Sequence, residues 1–172
     1  MAQSLDYLQS LGISALGSRL RRLFENLNGA VSQLYRDELG FEQRWFSLTL
    51  LLEERGSISI QSAADLLGTS HVSILQIAKA MEAEGLLKRR KSDKDRRLVL
   101  LSLSTKGLKT AERVHEISHR VDAAAGALLD EAAPNFIENL TRLENALGHK
   151  SFSNRLEPSG SNTSSSQEKI DV

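Results

Sequence analysis

Between residues 56 and 107 the chain sets two short helical segments around the turn Gly68-Thr69-Ser70 and follows them with a basic hairpin. That succession restricts the fold more than any other feature. Gly56 stops the preceding helix, and Ser57-Ile58-Ser59-Ile60 can pair briefly as a strand. Ser59 is placed to cap a helix over about 60–67, and Ser70 to cap a second from His71 to about Glu84. Gly85 then ends that helix as a C′ glycine. Leu86-Leu87-Lys88-Arg89-Arg90-Lys91 and Leu98-Val99-Leu100-Leu101-Ser102-Leu103 read as strands, joined antiparallel through the polar Ser92-Asp93-Lys94-Asp95.

The flanks are helical. Leu16, Leu20, Leu23, Leu27, Ala30 and Leu34 are spaced four and three apart in alternation, which predicts a long amphipathic helix with an a/d seam. Its apolar stripe can serve ordinary core packing or the packing of one subunit on another. Gly40 breaks this helix, and a second runs over about 42–54 with Trp45, Phe46, Leu48, Leu51 and Leu52 as apolar positions. Thr105 begins a further helix carrying Val114, Ile117, Val121, Ala124, Ala125 and Leu128. Pro134 is expected to open the last, with Phe136, Ile137, Leu140, Leu143 and Leu147. From Ser153 the composition turns to Ser, Asn, Gly and Pro, as in a disordered tail.

The 172 residues fit one compact domain with extensions, and 40% hydrophobic content is enough for a core. With no cysteine, disulfides, thiolate metal sites and thiol nucleophiles are excluded. The first residues show no basic-then-apolar leader, and the strongest apolar stretch, near Leu48 to Leu52, is far too short to cross a bilayer. A soluble, cytoplasmic protein without a membrane partner is expected. The formal net charge is zero, but it is unevenly distributed. From Leu86 to Lys109 there are nine basic residues (Lys88, Arg89, Arg90, Lys91, Lys94, Arg96, Arg97, Lys106, Lys109) against Asp93 and Asp95, a local +7 that the remainder balances with −7. Such a concentrated field governs the choice of partner more than the total does.

Two short helices joined by a glycine-containing turn and followed by a basic hairpin have the layout of a winged helix-turn-helix. In the second helix Ile74, Ile77, Ala78 and Met81 fall at i, i+3, i+4 and i+7 and form the buried stripe. The opposite side presents Val72, Gln76, Lys79 and Ala83, flanked by Ser73 and Leu75. This outer face is small and polar near its start, as a helix entering a phosphate-lined groove requires. Gln76 can bond an adenine edge and Val72 can touch a thymine methyl. Ser70, Ser73 and the first backbone N–H groups can hold a phosphate, and His71 can bond a phosphate or a guanine. Each of these residues alone is equally an ordinary exposed helix position, and the argument rests on the set. At the hairpin tip Arg96 and Arg97 can enter a narrow minor groove. Asp93 or Asp95 can orient such an arginine, or an Asp95–Arg97 pair can simply brace the turn.

These segments resemble the MarR family of regulators. Asp93-Lys94-Asp95-Arg96-Arg97-Leu98-Val99-Leu100-Leu101-Ser102-Leu103-Ser104-Thr105-Lys106-Gly107 is similar to the family's wing signature. Ala64-Asp65-Leu66-Leu67-Gly68-Thr69-Ser70 and Met81-Glu82-Ala83-Glu84-Gly85-Leu86-Leu87-Lys88-Arg89 are similar to its two upstream segments. The resemblance covers about residues 10–150. It implies a mainly α fold with a small β-hairpin wing: a MarR-like domain over 1–152, comprising a winged helix-turn-helix at 41–107 and dimerisation helices at about 5–36 and 108–150, with 153–172 as tail. It further implies a homodimer, a palindromic operator in double-stranded DNA, and repression commonly relieved by a small aromatic or phenolic effector. The DNA-reading positions carry over to Ser70, His71, Ser73 and Gln76, and the wing arginine to Arg97 or Arg96. Gln76 stands where many members have arginine, and the lack of cysteine excludes the thiol-based peroxide sensors.

One motif competes. His115-Glu116-Ile117-Ser118-His119 matches H-E-x-x-H, in which His115 and His119 share a helix face and can grip zinc. No clear third-ligand motif follows, although Asp122 and His149 are present, and the helix is expected to pack on a partner subunit. Two exposed or interface histidines are the simpler reading, so no enzyme and no cofactor are expected. A regulator with a metal site at these two histidines, or a winged-helix module that meets an acidic protein instead of DNA, is the alternative.

Overall fold

The computed structural model describes residues 6–93, 95 and 98–156, which form two compact units that meet in sequence between Ala123 and Ala124. In the first unit a short helix α1 (Tyr7–Ser10) opens with a capping box, in which the Asp6 carboxylate accepts from the Gln9 N–H while the Gln9 side chain accepts from the Asp6 N–H. Arg22 reaches Asp6 at 2.9 Å, and its hydrogen bond is the main reason the Asp6 carboxyl is held below its ordinary pKa. A 3₁₀ turn at Gly12–Ala15 leads into the long helix α2 (Leu16–Leu39). Gly40 ends α2 in the left-handed region at φ 59°, with its N–H on the Arg36 and Tyr35 carbonyls.

The core gathers beyond this turn. Tyr35 and Phe41 are buried with ring centroids 5.6 Å apart, and Phe41 meets Trp45 edge-on at 5.4 Å and 84°. The predicted helix over 42–54 is divided. Glu42 is extended, Gln43–Trp45 form a 3₁₀ turn, and the α-helix α3 is Phe46–Arg55, burying Leu48, Thr49, Leu51 and Leu52. Strand β1 (Ser57–Ser59) follows, then helices α4 (Ile60–Leu66) and α5 (His71–Ala83), strands β2 (Leu87–Lys91) and β3 (Val99–Leu103), and helix α6 (Thr105–Ala132).

The hairpin forms as expected, with Arg89 opposite Leu101. The sheet has three strands, because β1 pairs antiparallel with β3 and places Ile58 opposite Leu101. β3 is therefore central and its Leu101 is fully buried, whereas β2 is an edge strand that exposes Lys88, Arg89, Arg90 and Lys91. Cations along an edge also discourage strand addition by another chain.

In the second unit, helix α7 (Phe136–His149) starts two residues later than the proline signal implied. Asn135, at φ 67°, is its N-cap, and Pro134 lies before the helix instead of at its first position. A further short helix α8 (Phe152–Leu156) occupies the first residues of the segment expected to be disordered from Ser153, so that boundary falls too early. The rest of the proposed tail lies outside the described residues.

Candidate nucleic-acid interface

Helices α4 and α5 are bounded by the same local chemistry. The Ser59 hydroxyl accepts from the Ser62 N–H at 3.0 Å, and the Ser70 hydroxyl from the Ser73 N–H at 3.1 Å. In each case the two serine hydroxyls also share a 2.8 Å hydrogen bond. At the far ends, Gly68 (φ 60°) and Gly85 (φ 70°) turn the chain left-handed. The Thr69 N–H returns to the Ala64 carbonyl and the Leu86 N–H to the Met81 carbonyl, completing two Schellman motifs. The lengths of both helices are thus set locally, by a serine at one end and a glycine at the other.

Tertiary packing fixes which side of α5 faces out. Ile74, Ala78 and Met81 are fully buried and Ile77 is half-buried. Ser70, His71, Val72, Gln76 and Lys79 are exposed together, and Ser73 and Leu75 flank them half-buried. Val72, an apolar residue, is 61% exposed in the first turn, and that turn holds no acidic residue. Its unpaired N–H groups and positive dipole end therefore face outward without a competing carboxylate. Glu82 and the C-cap residue Glu84 lie at the opposite end of the helix.

That opposite end is fastened to the wing and to α6. Arg89 on β2 pairs with Glu82, and this hydrogen bond is the largest cause of the raised Arg89 pKa. Lys106 Nζ donates to the Glu84 carbonyl at 2.7 Å, and the Ser104 hydroxyl donates to the Gly85 carbonyl at 2.6 Å. Ser104 also accepts from the Gly107 N–H at 2.9 Å, capping α6, while its own N–H donates to the Leu86 carbonyl. The C-terminal end of α5, the edge strand β2 and the start of α6 form one braced corner.

In the wing the Ser92 N–H donates to the Leu98 carbonyl, and the Leu98 N–H donates to the Asp95 carbonyl. Asp93 pairs with Arg90 of β2 at 3.1 Å. Arg96 and Arg97, the expected minor-groove arginines, lie outside the described residues, as does Lys94. Sequence reasoning counted Lys88, Arg89, Arg90 and Lys91 in the basic field but gave them no individual role. Their exposure follows from β2 being an edge strand, which became evident only once β1 was paired.

The H-E-x-x-H histidines are used differently. His115 on α6 hydrogen-bonds Glu53 on α3 at 2.7 Å, and one turn further on Arg120 grips Glu38 of α2 through two contacts of 2.7 and 2.9 Å. His119 is exposed. Among the described residues no group of three or more His, Asp or Glu side chains is gathered as a metal would need.

The MarR family model matches residues 43–99, from the 3₁₀ turn before α3 to the start of β3. The transcriptional repressor MprA of Escherichia coli K12 is 30% identical over 105 residues, and this stretch is 60% of this chain and 60% of MprA. The fold is shared with a mutant MarR from E. coli complexed with operator DNA, at TM-score 0.66 and 15% identity over 83% of this chain and 99% of that one. It is shared too with the PcaV regulator of Streptomyces coelicolor in complex with its natural ligand, at TM-score 0.65 and 16% identity over 88% and 99%. Residues 43–99, which match the MarR family model, thus fold as a winged helix-turn-helix with two serine-capped helices and a three-stranded sheet.

Proposed function

We propose that the protein is a homodimeric, sequence-specific repressor of transcription that places α5 in the major groove of a palindromic operator and a wing arginine, Arg96 or Arg97, in the adjacent minor groove. The observation that carries this reading is the outward face of α5. His71, Val72, Gln76 and Lys79 stand exposed behind a serine-capped N-terminus free of acids, beside an edge strand bearing four cations. Gln76 supplies a paired donor and acceptor for adenine, Val72 an apolar contact for a thymine methyl, and Ser70 with the first N–H groups a seat for a phosphate. The basic strand and wing supply the sequence-independent attraction to the backbone.

Association of two subunits is supported by the apolar faces left uncovered within each unit. On α2, Leu16, Leu20, Leu23 and Leu27 are all exposed, although Leu34 and Tyr35 on the same helix pack into the core. On α7, Ile137, Leu140, Leu143 and Leu147 are exposed as well. Contiguous apolar area of this kind marks an association surface. Two-fold symmetry then calls for two half-sites about one helical turn apart. MarR was solved with operator DNA and PcaV with its natural ligand, which favours a regulator whose operator is released by a small effector.

The reading is tested by measuring binding to genomic fragments at several salt concentrations together with sedimentation. A dimer whose affinity falls steeply on a log–log salt plot is expected. A monomer indifferent to every duplex at low ionic strength would defeat the proposal, and binding to an acidic protein in place of DNA would favour an interaction module.

A further inference from the structure

A cleft of about 490 Å³ lies between the end of α2 and the first turns of α6, lined by Glu38, Leu39, Thr105, Lys106, Lys109, Thr110 and Arg113. Three of its side chains are cations on one face of one helix, at i, i+3 and i+7. At the helical rise they span about 10 Å. The cleft's one carboxylate, Glu38, is already taken by both contacts from Arg120. Among the described residues neither Lys109 nor Arg113 has an acidic partner, and Glu112, the acid beside them in sequence, does not line the cleft. Most other arginines of this unit are paired: Arg21, Arg22, Arg44, Arg55, Arg89, Arg90 and Arg120 each hold a carboxylate. Among the described residues, Arg113 and Lys109 therefore stand in a concave site without a carboxylate partner.

We infer that this cleft binds a compact polyanion, of the oligophosphate or polycarboxylate class, between Lys106, Lys109 and Arg113. Like charges held along one face repel one another, and a multiply charged ligand relieves that repulsion while gaining charge-assisted hydrogen bonds. The occupant is a small molecule and not the DNA backbone, because of where the cleft sits. Lys106 touches the Glu84 carbonyl, at the end of α5 opposite Ser70, His71 and Gln76. A ligand here is therefore remote from the base-reading turn yet competes for the lysine that braces the helix. The site itself stands independently of the DNA reading, and only its effect on an operator would rest on that.

The test needs no DNA. Pyrophosphate and citrate are titrated separately into the full chain by calorimetry at fixed ionic strength, with Lys109→Gln/Arg113→Gln and with Lys79→Gln/Lys88→Gln as the control on the outer face. Saturable binding of either anion, weakened at least tenfold in the cleft variant and within twofold of wild type in the control, is expected. Which anion binds distinguishes the two classes. Unsaturable heats with both anions, unchanged affinity in the cleft variant, or a loss that instead follows the control variant overturns the inference. Both variants change exposed residues only, and circular dichroism checks that each remains folded.

Discussion

A Cβ placed on Gly107 would lie 2.0 Å from the carbonyl oxygen of Leu86. The first turn of α6 rests directly on the backbone that leaves the Schellman turn of α5, and only a hydrogen fits between them. The neighbouring groups cannot give way, because the Leu86 carbonyl accepts from the Ser104 N–H, and the Ser104 hydroxyl accepts from the Gly107 N–H. Gly107→Ala is expected to destabilise the fold by about 3 kcal/mol, at the upper end of the overpacking range, since backbone must move. Urea denaturation measures it, and a change below about 0.5 kcal/mol would show that the contact relaxes freely.

Paired cap variants separate folding from recognition. Ser59→Ala and Ser70→Ala each remove a hydroxyl that accepts the N3 N–H, so each should cost about 1 kcal/mol of stability. Only Ser70 opens the helix whose outer face is proposed to meet DNA. At a temperature where both variants are fully folded, S70A should bind operator at least fivefold more weakly than S59A. Equal affinities would remove Ser70 from the interface.

These caps also show how much of the fold was legible. Serine before each short helix and glycine after it are local signals, acting through hydrogen bonds three to five residues apart, and α4, α5 and their turn follow from them. The buried stripe of Ile74, Ala78 and Met81 was readable for the same reason, since helical periodicity is local. What sequence could not supply was the partner of β1. Ser57–Ser59 pairs with residues more than forty positions later, and that long-range pairing leaves β2 as the edge. Nor could it foresee that His115 turns to Glu53 and Asp93 to Arg90. Each of those choices depends on which elements come side by side, and motif spacing carries no information about that.

Base readout gives the sharpest functional test. The Gln76 side chain is exposed on α5 and makes no hydrogen bond among the described residues, so its amide can pair with a base edge. Gln76→Ala should relax preference at one operator position by about 1–3 kcal/mol while leaving non-specific binding unchanged. Arg97→Ala should instead weaken binding more evenly across sequences. Selection of bound sites from a randomised duplex pool distinguishes the two patterns. Identical selected motifs for wild type and Q76A would reject this docking.

The leucine stripe on α2 can be tested without DNA. Leu20 and Leu23 are 51% and 44% exposed, so a charge there disturbs little within one subunit. In a dimer packed through this face, the same charge would be buried without a partner. Leu20→Glu/Leu23→Glu should therefore sediment as a monomer with little loss of helix content. A double variant that remains dimeric would move the association surface elsewhere.

Alkaline stability tests the aromatic corner. Burial, followed by the nearby negative charge of Asp122, raises the Tyr35 phenol above its ordinary pKa of 10.0. A group whose folded pKa is raised contributes stability that is complete below its unfolded pKa and is lost as pH climbs through the folded value. Below about pH 10 the neutral phenol therefore costs nothing, and above it the unfolded chain ionises first and draws the equilibrium away from the fold. Tyr35→Phe keeps the ring beside Phe41, 5.6 Å away, and beside Phe46, 6.1 Å away, but has no proton to lose. Between pH 9 and pH 11 wild type should lose more stability than Y35F, with the two curves parallel below pH 9. Lysines titrate in the same window in both proteins, so the difference between the curves isolates Tyr35. If Y35F falls as steeply as wild type, the phenol ionises as readily in the folded chain as in the unfolded one, and the corner is less closed than its burial indicates.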